Sequence, residues 1–169
     1  MSIDFSGDHV QVCEYCGVDG YYGREIAGTD KWIVYLAPSQ RYLATCVVAL
    51  RRKCRNLSEL NNDEWADFAV VVRVLESAVG DLFGPDLFNW SCFKNSAFRS
   101  ENPDPEVHWH FIPRYSRPVK FGGEVFRDPD FGHIPLPIES RAPDGVMDEL
   151  ELVMKRAVME RLGDVLGKD

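Results

Sequence analysis

Long apolar runs are missing from this chain, and so is any surplus of positive charge. No apolar stretch approaches the roughly 20 residues that a bilayer-spanning helix needs, so no membrane association is expected. The opening residues, Met1 to Phe5, have neither the basic start nor the apolar centre of a signal peptide, and a cytoplasmic location is expected. Cysteine is sparse: five residues, an odd number, widely spread, which argues against a disulfide framework. Lys and Arg total 19 against 27 Asp and Glu, a formal net charge of −8. A surface of that sign disfavours a nucleic-acid polymer as partner, because a polyanionic backbone is met by a broad basic surface. A small anionic ligand is still compatible, since basic residues recur locally at Arg51, Arg52, Lys53 and Arg55, and again at Lys94, Arg99, Arg114, Arg117 and Lys120. Taken singly, each is more simply a solvated charge at an element end.

What is present is the composition of a globular domain. The 169 residues are 45% hydrophobic and 27% charged, enough for one domain with a real core. Residues 31–37 and 44–50 have strand composition, separated by the turn signal Pro38-Ser39-Gln40. Residues 56–63 offer several helix N-caps. Trp65, Phe68, Val72, Leu75 and Val79 then recur at three- and four-residue steps, predicting an amphipathic helix that stops near Gly80 or Gly84. Residues 87–93 read as a third strand and 95–105 as a polar, proline-bearing loop. Residues 116–145 hold five prolines and little periodicity, and predict an irregular surface excursion. Leu150, Val153, Ala157, Arg161 and Val165 mark a C-terminal helix. Strands interrupted by a helix predict an α+β fold with a mainly antiparallel sheet. The expected organisation is a core over residues 1–115, with 116–169 part of the same single domain.

The chemistry concentrates in residues 104–115, where two of the four histidines lie two positions apart. Side chains alternate in a strand, so Glu106, His108 and His110 would share one face, and Val107, Trp109 and Phe111 the other. One face is suited to packing and the other to chemistry, since imidazole serves well for proton transfer or nucleophilic attack near neutral pH.

The run His108-Trp109-His110-Phe111-Ile112-Pro113-Arg114 resembles the signature of the histidine triad family of nucleotide hydrolases and transferases, in which three histidines alternate with apolar residues and Pro-Arg often follows. The Pro-Arg ending sets the register: His110 takes the third histidine position, His108 the middle one and Glu106 the first. The resemblance extends over residues 13–115, including Asn95 thirteen positions before His108. It implies a five-stranded sheet with a packed helix, a homodimer, and a small nucleotide derivative as substrate. It also implies that His108 attacks the α-phosphorus to form a covalent nucleotidyl-histidine, which water then releases. By the same resemblance His110 supports the phosphate and its developing charge, Asn95 donates to a phosphate oxygen, and Arg114 is a further substrate-binding candidate that could instead close the local structure. No cofactor is required, because histidine supplies the nucleophile.

Three positions depart from the family pattern. Glu106 replaces the first histidine; it could donate a proton, orient an imidazole, or face away from the phosphates. Cys13 and Cys16 have the spacing of a zinc-binding pair. Zinc-containing relatives complete that site with two histidines, whose positions fall on Lys53 and Glu106. Either a Lys53–Glu106 ion pair replaces the metal, or Cys54 and Glu106 complete an altered zinc site. The family's ribose-binding acid falls near Tyr35, which could stack on or hydrogen-bond to the nucleoside; Trp32 and Leu36 line the base pocket or belong to the core. Cys46 and Cys92 read as small core residues. Three functions remain open: a nucleotide hydrolase or transferase, a nucleotide-binding protein without turnover, and a metal-binding module using Cys13, Cys16 and the histidine strand.

Overall fold

The computed structural model describes residues 22–133. Cys13, Cys16 and the expected C-terminal helix lie outside the described residues.

Five strands make one antiparallel sheet: β1 (Arg24–Gly28), β2 (Trp32–Leu36), β3 (Cys46–Leu50), β4 (Leu87–Ser91) and β5 (His108–Arg114), in the spatial order β1-β2-β3-β5-β4. Among the described residues one long helix, α1 (Asn62–Phe83), connects β3 to β4. The expected strands and helix are all present. Two elements were not foreseen. β1 is an edge strand exposed along its whole length, so it has no buried alternation to betray it. A second, two-stranded sheet of β6 (Val119–Phe121) and β7 (Glu124–Phe126) lies inside the segment expected to be irregular, turning on Gly122 and Gly123, both at positive φ.

The helix begins at a capping box. The Asn61 side chain accepts from the Glu64 backbone N–H, and the Glu64 carboxylate accepts from the Asn61 N–H, each at 2.9 Å. It ends at Gly84 in the left-handed conformation (φ 58°) that a Cβ disfavours. Val71, Leu75 and Val79 repeat every four residues and are buried against one face of the sheet. That face is built from alternate strand residues: Trp32, Val34, Cys46, Val48, Leu50 and Phe111. Phe68 of the helix stacks on Trp109 (4.9 Å between centroids) and meets Trp90 edge-on. Trp32 and Leu36 therefore belong to the core and not to a base pocket; Trp32 is fully buried, and its indole N–H donates to the Glu64 carbonyl at 2.9 Å. Burial also raises the Cys46 thiol to about 12, which keeps it protonated and inert at neutral pH. No helix among the described residues is long and apolar enough to cross a membrane.

The chain beyond β5 is fastened by Arg114. Its guanidinium donates to both oxygens of Asp128 (2.6 and 3.0 Å), to the Asp130 carbonyl (2.6 Å) and to the His133 carbonyl (3.2 Å), while its plane lies over the Tyr42 ring. The Arg114 and Asp128 side chains are only 4% and 1% exposed. Breaking such a buried pair strands a charge, so Asp128→Ala should cost about 3 kcal/mol in a denaturant titration; a loss below about 1 kcal/mol would show that the clasp is dispensable.

A second pair couples stability to acid. Arg52 binds the buried Glu64 carboxylate through two guanidinium nitrogens, holding its pKa down at about 2. A carboxylate depressed in the folded state stabilises above its unfolded value, and that contribution disappears as pH falls through the folded one. Melting curves should show stability falling between about pH 4.5 and 2, and Glu64→Gln should flatten that slope. An unchanged slope in the variant would assign the acid sensitivity elsewhere.

Candidate active site

The second face of the sheet carries the histidines. β5 is paired on both sides, with Ala49 opposite His108 and Val47 opposite His110 on β3, and Ser91 opposite His110 on β4. With Trp109 and Phe111 committed to the helix side, alternation turns both imidazoles to the opposite side. They are buried, 5% exposed for His108 and 1% for His110, and their rings meet edge-to-face at 5.0 Å.

His108 Nδ1 lies 2.9 Å from the carbonyl oxygen of Glu106. A carbonyl can only accept, so Nδ1 carries the proton in the neutral ring and the lone pair is left on Nε2. Strand β5 begins at His108, yet the Leu50 N–H still donates to the Val107 carbonyl and Val107 is buried in the helix-side core with Phe111, so the alternation runs on through Val107 towards Glu106. The Glu106 backbone carbonyl turns to the histidine, and its side chain goes to Lys53 (Nζ–Oε1 3.7 Å).

Lys53 also pairs with Asp104 at 2.9 Å. An ammonium is not a metal ligand, and the facing carboxylate is engaged by it, so these two positions do not fit half of a zinc site. Cys54 is buried, and its thiol contacts the Asn56 carbonyl at 3.2 Å. Among the described residues no three His, Cys, Asp or Glu side chains are grouped to hold a metal ion.

Tyr35 stands on the histidine face: it pairs with Val47, which pairs with His110. Tyr22 was not anticipated. Its ring lies 5.0 Å from His108 and 5.8 Å from Tyr35, bridging the two. Gly23 makes this possible. It sits at φ 124°, and a Cβ there would fall 2.0 Å from the Leu36 carbonyl oxygen, so only glycine lets the chain pass this close to β2. A lone aromatic ahead of a strand carries no periodic signal, although the Tyr-Gly step was legible. Ser91 is a second omission. Its hydroxyl is buried on the histidine side, with no hydrogen-bond partner among the described residues, and could donate to a ligand there.

The remaining expected residues divide. Asn95 opens a short 3-10 helix, Asn95–Arg99, with its side chain exposed, two positions after Phe93, whose ring lies 6.3 Å from His110. Arg114 follows the alternative expected for it: four guanidinium hydrogen bonds to Asp128 and two carbonyls close the local structure and turn it from phosphate binding.

Comparison with solved structures identifies the fold. A HIT family protein from Bacillus anthracis superposes with a TM-score of 0.54 at 14% identity, covering 82% of this chain and 87% of that one. A histidine triad nucleotide-binding protein from Candida albicans gives 0.51 at 17% identity, with 85% and 90% covered. The fold is that of the histidine triad proteins. A HIT family member from Bacillus subtilis agrees, at 0.51 and 18% identity over 79% of this chain and 87% of that one. No family model and no curated protein matches the sequence.

The tautomer is directly measurable. In 15N-resolved NMR spectra of the neutral ring, His108 should appear as the Nδ1–H form. An Nε2–H signature would remove the lone pair from the position that attack requires.

Proposed function

We propose that this chain is a histidine triad hydrolase or nucleotidyl transferase acting on the α-phosphorus of a nucleotide derivative, such as a dinucleoside polyphosphate or a nucleoside phosphoramidate. One observation carries the reading: the buried His108 is held by the Glu106 carbonyl in the tautomer that leaves Nε2 unprotonated. Nε2 attacks phosphorus, the P–N bond forms, and the P–O or P–N bond to the leaving group breaks, the leaving group departing with a proton. Water then attacks the same phosphorus. The nucleoside monophosphate leaves, and the imidazole recovers its lone pair. Splitting one displacement in two is effective because imidazole is both a good nucleophile and a good leaving group. His110, edge-on to His108, is the residue placed to donate to phosphoryl oxygens as charge develops on them. Glu106 acts through its backbone, and its carboxylate, turned to Lys53, does not oppose the phosphate.

The same reading carries a cytoplasmic homodimer that needs no metal for its phosphorus chemistry; zinc on Cys13 and Cys16, if bound, would be structural. A second reading, nucleotide binding without turnover, is favoured by one feature: the Tyr22 ring lies against the His108 ring.

Trapping decides between them. Acid-quenched protein mixed with an adenosine 5′-phosphoramidate should carry an adenylyl group on His108, absent in His108→Ala and formed about 10²–10³-fold more slowly in His110→Ala. An adduct that survives His108→Ala removes the nucleophile assignment. Binding of AMP with no adduct from any donor supports the second reading.

A further inference from the structure

A nucleophile that is 5% exposed has to be uncovered before it can act. Attack requires Nε2 of His108 to come within about 3–3.5 Å of a phosphorus atom that carries its own substituents. Among the described residues two rings lie against the His108 ring: His110, edge-to-face at 5.0 Å, and Tyr22, tilted by 40° and also 5.0 Å between centroids. His110 is fixed on the same paired strand. Tyr22 belongs to no strand.

Tyr22 also stands where a nucleoside would. Cross-strand partners share a face, and from β5 towards β1 the His110 row runs through Val47 to Tyr35. At about 4.8 Å per strand, Tyr35 is roughly 10 Å from His110, about the reach of a nucleoside from its α-phosphorus. Tyr22 lies within that interval, its ring 5.8 Å from Tyr35 as well as 5.0 Å from His108. A flat ring set between these two side chains makes the contacts that a bound base would make. The tyrosine and a nucleotide cannot both occupy the same space.

The backbone beside Tyr22 supplies a pivot. Arg24 opens β1 and is paired with Leu36, so the chain is anchored from that point on. Gly23 precedes it at φ 124°, and a Cβ there would fall 2.0 Å from the Leu36 carbonyl oxygen. Glycine is therefore required for the position observed, and it is also the residue whose backbone turns most freely. An aromatic pair shifts an equilibrium by about two- to tenfold. A nucleotide that gains both stacking and phosphate contacts reverses a bias of that size.

We propose that Tyr22 is an internal competitor for the nucleoside position: its ring covers His108 in the resting protein, and a nucleotide binds when the chain turns at Gly23 and withdraws it. The proposal rests on His108 marking the phosphate position.

Two measurements on the full chain test it. In calorimetric titrations Tyr22→Ala should bind AMP about three- to tenfold more tightly than wild type, because only the uncovered fraction of the wild-type protein is competent to bind. Weaker binding would make Tyr22 a platform for the nucleoside, and equal binding would take it out of the site; either overturns the proposal. The second measurement needs no nucleotide. Diethyl pyrocarbonate modifies uncovered imidazole, and its reaction at His108, followed by peptide mass, should be faster in Tyr22→Ala by the same factor of about three to ten, since both readings report the uncovered fraction. An unchanged rate at His108 would overturn the shielding and the proposal with it. Both expected results without an adenylyl adduct from any donor would sink the catalytic reading and leave Tyr22 as the competitor in a binding site.

Discussion

β5 is hydrogen-bonded on both sides, and that constraint determines nearly everything about the site. A strand paired with two neighbours cannot slip by one residue without turning each side chain to the other face. Here a slip would push His108 and His110 into the core beneath α1 and expel Trp109 and Phe111, which pack against Phe68, Phe88 and Trp90. The aromatic side thus holds the imidazole side in register. The helix contributes through the same surface, and its capping box and Gly84 stop give it the length to cover that face.

The Glu106 substitution looks severe in sequence and mild in structure. A carboxylate placed third in line with two imidazoles would oppose a phosphate. Glu106 lies two positions before the start of β5, and its carboxylate pairs with an exposed lysine. What the histidine needs from this position is a carbonyl oxygen, and every residue type supplies one. An exposed ion pair of this kind adds little stability, and what it does is engage the Glu106 carboxylate with Lys53.

Periodic features could be read from the chain and isolated ones could not. The helix and the histidine face follow from repeats of about four and of two positions, and β2 and β3 from their unbroken apolar composition. β1 has no buried face, and the β6–β7 hairpin is too short for a period, although its Gly-Gly turn was a usable signal. Tyr22 joins the site through one backbone conformation at Gly23. Arg114 joins the motif in sequence yet leaves the site in space, because Asp128 lies fourteen positions downstream and nothing local links the two. Trp32 shows the limit in the other direction. A strand residue beside a possible base pocket faces either side with equal plausibility until the partner strand fixes the register, and its indole then lies under the helix.

The engagement of Arg114 has a consequence for how phosphate would be held. Arg52 is committed to Glu64, Lys53 to Asp104 and Glu106, Arg41 to Asp130, and Arg114 to Asp128. On a chain with net charge −8, none of these guanidinium or ammonium groups is presented to the histidine pocket as a dedicated phosphate clamp. The donors presented there under the proposed reading are the His110 ring and the Ser91 hydroxyl, since the His108 ring has its Nδ1–H on the Glu106 carbonyl and offers only a lone pair. Neutral donors bind an anion less tightly than a paired guanidinium does, and more of their effect appears as negative charge grows on the phosphoryl oxygens. Under the proposed two-step reaction the same pocket must release a monophosphate after each cycle. A fixed cation would bind that product and the transition state alike. The His110 imidazole and a hydroxyl instead favour the state in which charge is changing, which is the requirement for turnover.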